Sequence, residues 1–182
     1  MKKAILILAL LLTAGAGCGP WRSVGGPYSS YWNNFETELP QGWVRQDTSQ
    51  YLRITRDGFP LQTIYIGRIR IGDHEFTYTK KRLSKGMLPQ EIAEVVLDNM
   101  ASNPEMKGFL VKENKPVKVG NVPAARLVFE YRTKDGLKIR TATCRFIHED
   151  WFYTITYSAP QRHYYDRDVK EFEKVVARFR LT

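Results

Sequence analysis

The chain has 182 residues, 43% of them hydrophobic and 13% aromatic, with 28 Lys plus Arg against 19 Asp plus Glu and a net charge of +9. This apolar content excludes a disordered polypeptide, and two cysteines are too few for a disulfide-dense scaffold. The basic residues are scattered and form no long run, which reads as a solvated surface with a basic tilt; in a chain outside the cytoplasm, anionic headgroups or an acidic protein suit the excess better than nucleic acid.

Lys2 and Lys3 precede an uninterrupted apolar run, Ala4 to Leu12, and small residues follow from Thr13 to Gly17. That is the order of parts in a secretory signal. A membrane-spanning helix needs roughly 20 apolar residues, and this run is far shorter, so residues 1–17 read as a signal peptide. Gly15-Ala16-Gly17-Cys18 resembles the bacterial lipobox, departing from it at Gly15, where an aliphatic residue is usual. The resemblance implies cleavage before Cys18 and acylation of its sulfur, with membrane lipid as the first partner. An exported chain with free Cys18 and an uncleaved anchor are the alternatives. Each buried methylene contributes roughly 0.8 kcal/mol, so a multiply acylated cysteine is a durable anchor. Cys144 is then left without a disulfide partner, and the mature form keeps 26 basic against 19 acidic residues.

Residues 18–32, CGPWRSVGGPYSSYW, are rich in Gly, Pro and Ser and read as a linker with a span of roughly 20 Å. Trp21, Tyr28, Tyr31 and Trp32 could rest at a headgroup interface or cover the domain, with packing expected for Tyr31 and Trp32. A single domain over 33–182 follows. Phe35–Leu39 and Trp43–Gln46 read as strands joined by the turn Pro40-Gln41-Gly42. Tyr51–Thr55 and Leu61–Ile71 read as a hairpin across Arg56-Asp57-Gly58. Leu88–Met100 has apolar residues at helical spacing, Leu88, Ile92, Val95, Val96 and Met100, with Pro89 in the first turn. Strands are then expected at Ala125–Arg132, Leu137–Ile147 and Trp151–Ser158 as an antiparallel meander. A last helix over Asp166–Arg178 carries the stripe Val169, Phe172, Val175, Val176 and Phe179. Antiparallel strands with two amphipathic helices predict an α+β fold, the sheet flanked by its helices.

The stretch Leu39-Pro40-Gln41-Gly42-Trp43 resembles an early element of PsbP-like domains. Val119–Leu127, Tyr153-x-Ile155-x-Tyr157-x-Ala159-Pro160 and Phe172-x-x-Val175-Val176-x-x-Phe179 are similar to their second half. The resemblance, to the PsbP-like superfamily that includes DcrB-like bacterial lipoproteins, covers most of residues 35–182. It implies an α/β/α sandwich and an accessory or binding role without a common catalytic site. It transfers no functional residue.

The sequence contains no Gly-x-Ser-x-Gly, Ser-x-x-Lys, His-Glu-x-x-His, Cys-x-x-Cys or phosphate-binding loop, so no enzyme is expected and no cofactor is implied. Cys144 shares a strand face with Ala142 and Phe146 and reads as a core thiol. His74, His148 and His163 each sit in a short polar turn, and nothing in the sequence brings them together as metal ligands. Arg162, His163, Tyr164, Tyr165 and Arg167 are the candidate partner-binding cluster, because Arg and aromatic side chains are enriched at interfaces. The same residues would also serve as packing at a helix start. The expected function is a non-enzymatic, lipid-anchored accessory module that binds an envelope protein. A carrier of a small molecule or lipid in a cleft between sheet and helix is the alternative. Gly19 after the anchor cysteine favours the outer membrane in a two-membrane host.

Overall fold

The computed structural model describes residues 21–73 and 76–182. The signal segment, Cys18 and His74 lie outside the described residues. The strands are β1 (Arg22–Ser30), β2 (Phe35–Asp47), β3 (Tyr51–Thr55), β4 (Thr63–Arg70), β5 (Lys107–Val119), β6 (Val122–Arg132), β7 (Lys138–His148), β8 (Trp151–Pro160) and β9 (Arg180–Leu181). The helices are α1 (Pro89–Ala101) and α2 (Asp166–Arg178). Among the described residues the sheet runs β1-β2-β3-β4-β8-β7-β6-β5, with β9 paired to the start of β2. The pairings between these strands are antiparallel, so the molecule is an α+β sandwich with one helix on each face.

Strand period two assigns the faces. On β7, Ala142, Cys144 and Phe146 point to the α2 side, where they meet Ile155 and Tyr157 of β8, Ile64 and Ile66 of β4, and Phe172, Val175 and Phe179 at α2. Full burial contributes about 1.5–3 kcal/mol for each such large apolar side chain. The opposite face packs Leu127 and Phe129 of β6 and Phe152 of β8 against Ile92, Ala93, Val95 and Val96 of α1. Helix α1 sits on β5, β6 and β7, toward one side of the sheet. Its start is fixed by Glu91, whose carboxylate accepts from the Leu88 backbone N–H at 2.7 Å. Leu88 itself is exposed and not part of the apolar stripe.

Several elements differ from the sequence reading. Residues 22–30, expected within the linker, form edge strand β1 and pair with β2 along their length. The alternation is present, with Val24, Gly26, Tyr28 and Ser30 turned inward, but glycine, proline and serine disguise it. Pro40-Gln41-Gly42 is not a turn between two strands. Val24 faces Trp43 and Gly26 faces Leu39, so one residue of β1 spans three of β2 in a bulge. Gly42 takes a φ of +75° there, a conformation natural to glycine. The bulge redirects the first half of β2 across the α2 face, where Thr37 donates to the Val175 carbonyl at 2.7 Å and Phe35 stacks on Phe179 at 5.2 Å. Strand β5 was not expected: its KGFLVKENKPVKV sequence is largely exposed, with bulges and a proline, as an edge strand permits.

Candidate functional site

The residues Arg162, His163, Tyr164, Tyr165 and Arg167 lie on and beside the tight turn from Gln161 to Tyr165 that joins β8 to α2. The structure divides them. Tyr165 is buried against Tyr157 at 5.5 Å between ring centres, and burial pushes its phenol up to about 12. Tyr157 Oη donates to the Tyr164 carbonyl at 2.9 Å, pinning the turn to the sheet. The Arg167 guanidinium bonds Asp168 and Asp57, and these bonds hold it firmly protonated. Asp168, 1% exposed, also accepts from Arg56 Nη1 at 3.0 Å and Gln62 Nε2 at 3.1 Å. This network ties the β3–β4 loop to the start of α2; Tyr165 packs and Arg167 forms ion pairs within the fold. Arg162 and His163 remain exposed, with Tyr164 half-buried between His163 and Arg167. His163 has φ +76° and ψ −52°, the strained γ-turn geometry.

A more exposed aromatic site lies on the β1–β2 turn. Tyr31 and Trp32 are 85% and 64% exposed and meet edge to face at 5.6 Å, contrary to their expected packing. A four-residue turn has no neighbouring layer to cover both rings, yet its backbone is fastened. Asn33 donates from its backbone N and from Nδ2 to Ser30 Oγ, each at 3.3 Å, and Asn34 takes a left-handed φ of +49°. Arg68 of β4 donates from Nη2 to the Trp32 carbonyl at 2.8 Å and from Nη1 to Tyr153 Oη at 3.1 Å. The same guanidinium lies 4.1 Å over the Trp151 ring. Two rings are therefore presented to solvent on an ordered support that adjoins a third aromatic and an arginine.

No family model and no curated protein matches the sequence. Solved structures do match. The cyanobacterial PsbP (CyanoP) of Synechocystis sp. PCC 6803 superposes with a TM-score of 0.57 at 14% identity, over 93% of this chain and 99% of that one. The domain has the PsbP-like fold. LpqN of Mycobacterium tuberculosis, described as involved in cell envelope biogenesis, matches at TM-score 0.52 and 14% identity over 87% of this chain and 85% of its own. A Bacteroides thetaiotaomicron crystal structure matches at 0.54 and 15% identity over 87% of this chain, and the chain spans about half of that structure's length, 48%. The stretches that carry the resemblance to PsbP-like domains are packing elements here: Trp43, Tyr153, Ile155, Tyr157, Phe172, Val175 and Phe179 all belong to the core on the α2 side.

Within the PsbP-like fold the remaining chemical candidates separate in space. Cys144 is fully buried, and burial pushes its thiol up to about 11, which keeps it protonated and poorly nucleophilic. His148 ends β7 and His163 follows β8, at opposite ends of the β7–β8 hairpin. No group of three or more His, Cys, Asp or Glu residues able to hold a metal forms among the described residues. Two grooves flank α2. One of about 650 Å³ lies against the β2 bulge with Glu38, Glu171, Lys174 and Arg178 at its rim. The other, about 510 Å³, is lined by Glu113, Lys115, Arg126 and Glu173, with Arg126 paired to Glu173 at 2.5 Å and to Glu113 at 2.8 Å. Charged side chains rim both sheet-helix clefts, whose remaining lining includes Leu39, Pro40 and Ala177 in one and Val117 and Val176 in the other.

Proposed function

We propose that this chain is a non-enzymatic accessory lipoprotein of the bacterial envelope, anchored through acylated Cys18, which binds a protein partner with the Tyr31–Trp32 turn. The observation that carries the reading is that two large rings are exposed on a backbone already fixed by Ser30, Asn33 and Arg68. Ordering them in a complex costs little entropy, and aromatic side chains beside an arginine are the residues that dominate binding energy in interfaces. The signal-like residues 1–17 and the lipobox-like Cys18 support export and anchoring, and Gly19 supports the outer membrane in a two-membrane host. The envelope role described for LpqN, which shares the fold, supports the location. The absence of known catalytic motifs from the sequence supports a binding role.

The test is in-cell cross-linking of the full chain followed by mass spectrometry. Wild type is expected to capture one reproducible envelope protein, and Tyr31→Ser with Trp32→Ser to lose it while the protein remains folded and abundant. Capture that survives the double substitution overturns this site. Cys18→Ser is expected to move the chain from the membrane fraction to the soluble fraction, and unchanged fractionation overturns the anchor.

A further inference from the structure

Helix α1 sits on β5, β6 and β7 and shares a core cluster with Phe152 of β8, and β4 lies beyond β8 in the sheet. Strand pairing places Arg145, Thr154 and Gly67 in one row across β7, β8 and β4, and Thr143, Thr156 and Tyr65 in the next. These side chains share a face, and with Ile69 and Phe152 most of them surround a cavity of about 310 Å³. Arg145 is largely buried. Its Nε donates to Thr143 Oγ1 at 2.8 Å and its Nη1 to Thr154 Oγ1 at 2.9 Å. Thr143 Oγ1 lies 2.7 Å from Thr156 Oγ1 and 3.1 Å from the Ile155 carbonyl, so the hydroxyls form a connected cradle.

Among the described residues Arg145 has no carboxylate counter-charge. It makes no ion pair with the carboxylates of the described residues, and its Nη2 donates no hydrogen bond among them. Burial pulls its pKa down to about 10, the direction expected of a desolvated cation without a carboxylate partner. Tyr65 does not neutralise it, because burial raises the phenol above its ordinary value and keeps it uncharged. The phenol instead lies across Gly67, where an added Cβ would stand 2.5 Å from Tyr65 Oη, so the ring occupies space that only glycine leaves open. Buried charges in proteins are normally paired, since removing an ion from water without a partner is expensive.

We infer that this cavity is a binding site for the carboxylate of a small organic acid, held by the free edge of the Arg145 guanidinium, with Phe152 and Ile69 as its apolar wall. A single planar guanidinium matches a single carboxylate in charge and in its paired oxygens. A phosphate dianion would place a second negative charge against neutral hydroxyls, with the nearby Arg68 already committed to Trp32, Tyr153 and Trp151. The volume corresponds to about ten water-sized groups, enough for an acid of modest size.

The experiment is calorimetric titration of the purified full chain with benzoate, with benzamide and inorganic phosphate as comparison probes, and backbone NMR to locate binding. Benzoate is expected to bind the wild type and shift the Gly67, Thr154 and Thr156 signals, with benzamide at least about tenfold weaker because it lacks the charge. Arg145→Gln is expected to weaken benzoate roughly tenfold to hundredfold. Gly67→Ala, which displaces Tyr65 into the cavity, and Thr154→Val, which loosens Arg145, test the same site if Arg145→Gln does not fold. The inference is overturned by no benzoate binding to wild type, by equal binding of benzamide, by variants that bind as wild type does, or by phosphate binding more tightly than benzoate.

Discussion

Asp168→Asn tests the network that ties the β3–β4 loop to α2. The side chain is 1% exposed and accepts from Arg56, Gln62 and Arg167, so one oxygen pair organises groups 106 and 112 residues distant in sequence. The amide keeps the shape but removes the charge, and it turns an NH2 toward donors. Breaking a buried ion pair costs about 3–5 kcal/mol when the partner stays buried. Arg56 is about half exposed and Arg167 about a third, so both rehydrate in part, and about 3 kcal/mol is the expected cost. For a domain of this length each kcal/mol moves Tm by roughly 2–4 °C, which gives a drop of about 6–12 °C. Urea and thermal denaturation followed by circular dichroism at neutral pH measure it. The urea midpoint should fall with little change in slope, because the surface exposed on unfolding is the same. Arg56→Gln, which removes only the more exposed partner, should cost less than about 1 kcal/mol. A loss below about 1 kcal/mol for Asp168→Asn would refute the view that this carboxylate fastens the loop to the helix.

Glu130 predicts a pH dependence. Burial raises its pKa, but the bonds from Arg140 and Lys138 outweigh it and hold the carboxyl below its ordinary 4.5. A depressed folded value means the stabilisation is complete above about pH 4.5 and is lost as pH falls through the folded pKa. Urea titrations from pH 7 to 3 should therefore show the difference between wild type and Glu130→Gln shrinking below that value; a difference that grows on acidification would contradict it. Native Cys144 should react with a thiol reagent only as fast as the chain opens, and rapid labelling without denaturant would rule out its buried, protonated state. The two tryptophans of the β1–β2 hairpin should behave oppositely. Trp43→Ala should cost about 3–5 kcal/mol by emptying the core, and Trp32→Ala should stay within about 0.5 kcal/mol, both read from denaturation midpoints.

The interior of the fold was legible in the sequence because burial imposes a period. Asp166–Arg178 agrees with the helix expected there, since Phe172, Val175 and Phe179 must all meet the sheet. Strands β7 and β8 showed one apolar face each, as sheet members with a covered face do. The margins were less legible. Strands β1 and β5 each have a neighbour on one side only, and the solvent-facing side accepts the serines of one and the lysines of the other. Pro40-Gly42 looks the same in sequence whether the chain reverses or bulges, and only the partner strand decides. Of the proposed binding residues, Tyr31 and Trp32 read in the sequence as packing, because ring size alone does not reveal whether a layer is available to cover a ring. Arg145 does not stand out in the sequence, because the apolar alternation of Ala142, Cys144 and Phe146 on the other face dominates the pattern of β7. The signal that could have found it is the shared parity of Thr141, Thr143 and Arg145 with Thr154, Thr156 and Ser158 on the paired strand.

The early start of β1 bears on how the molecule would stand at a bilayer. Trp21 already rests on Phe59 at 4.9 Å and β1 follows directly from Arg22, where the sequence reads as a linker up to residue 32. Three residues span at most about 10 Å, so an acylated Cys18 would hold Trp21 within that distance of the anchor. The nine residues of β1, at about 3.3 Å each, span roughly 30 Å, so an anchor at Cys18 would stand near one end of the strand and the exposed Tyr31 and Trp32 near the other. Under the proposed anchoring, the length of β1 would set the height of those rings above the membrane.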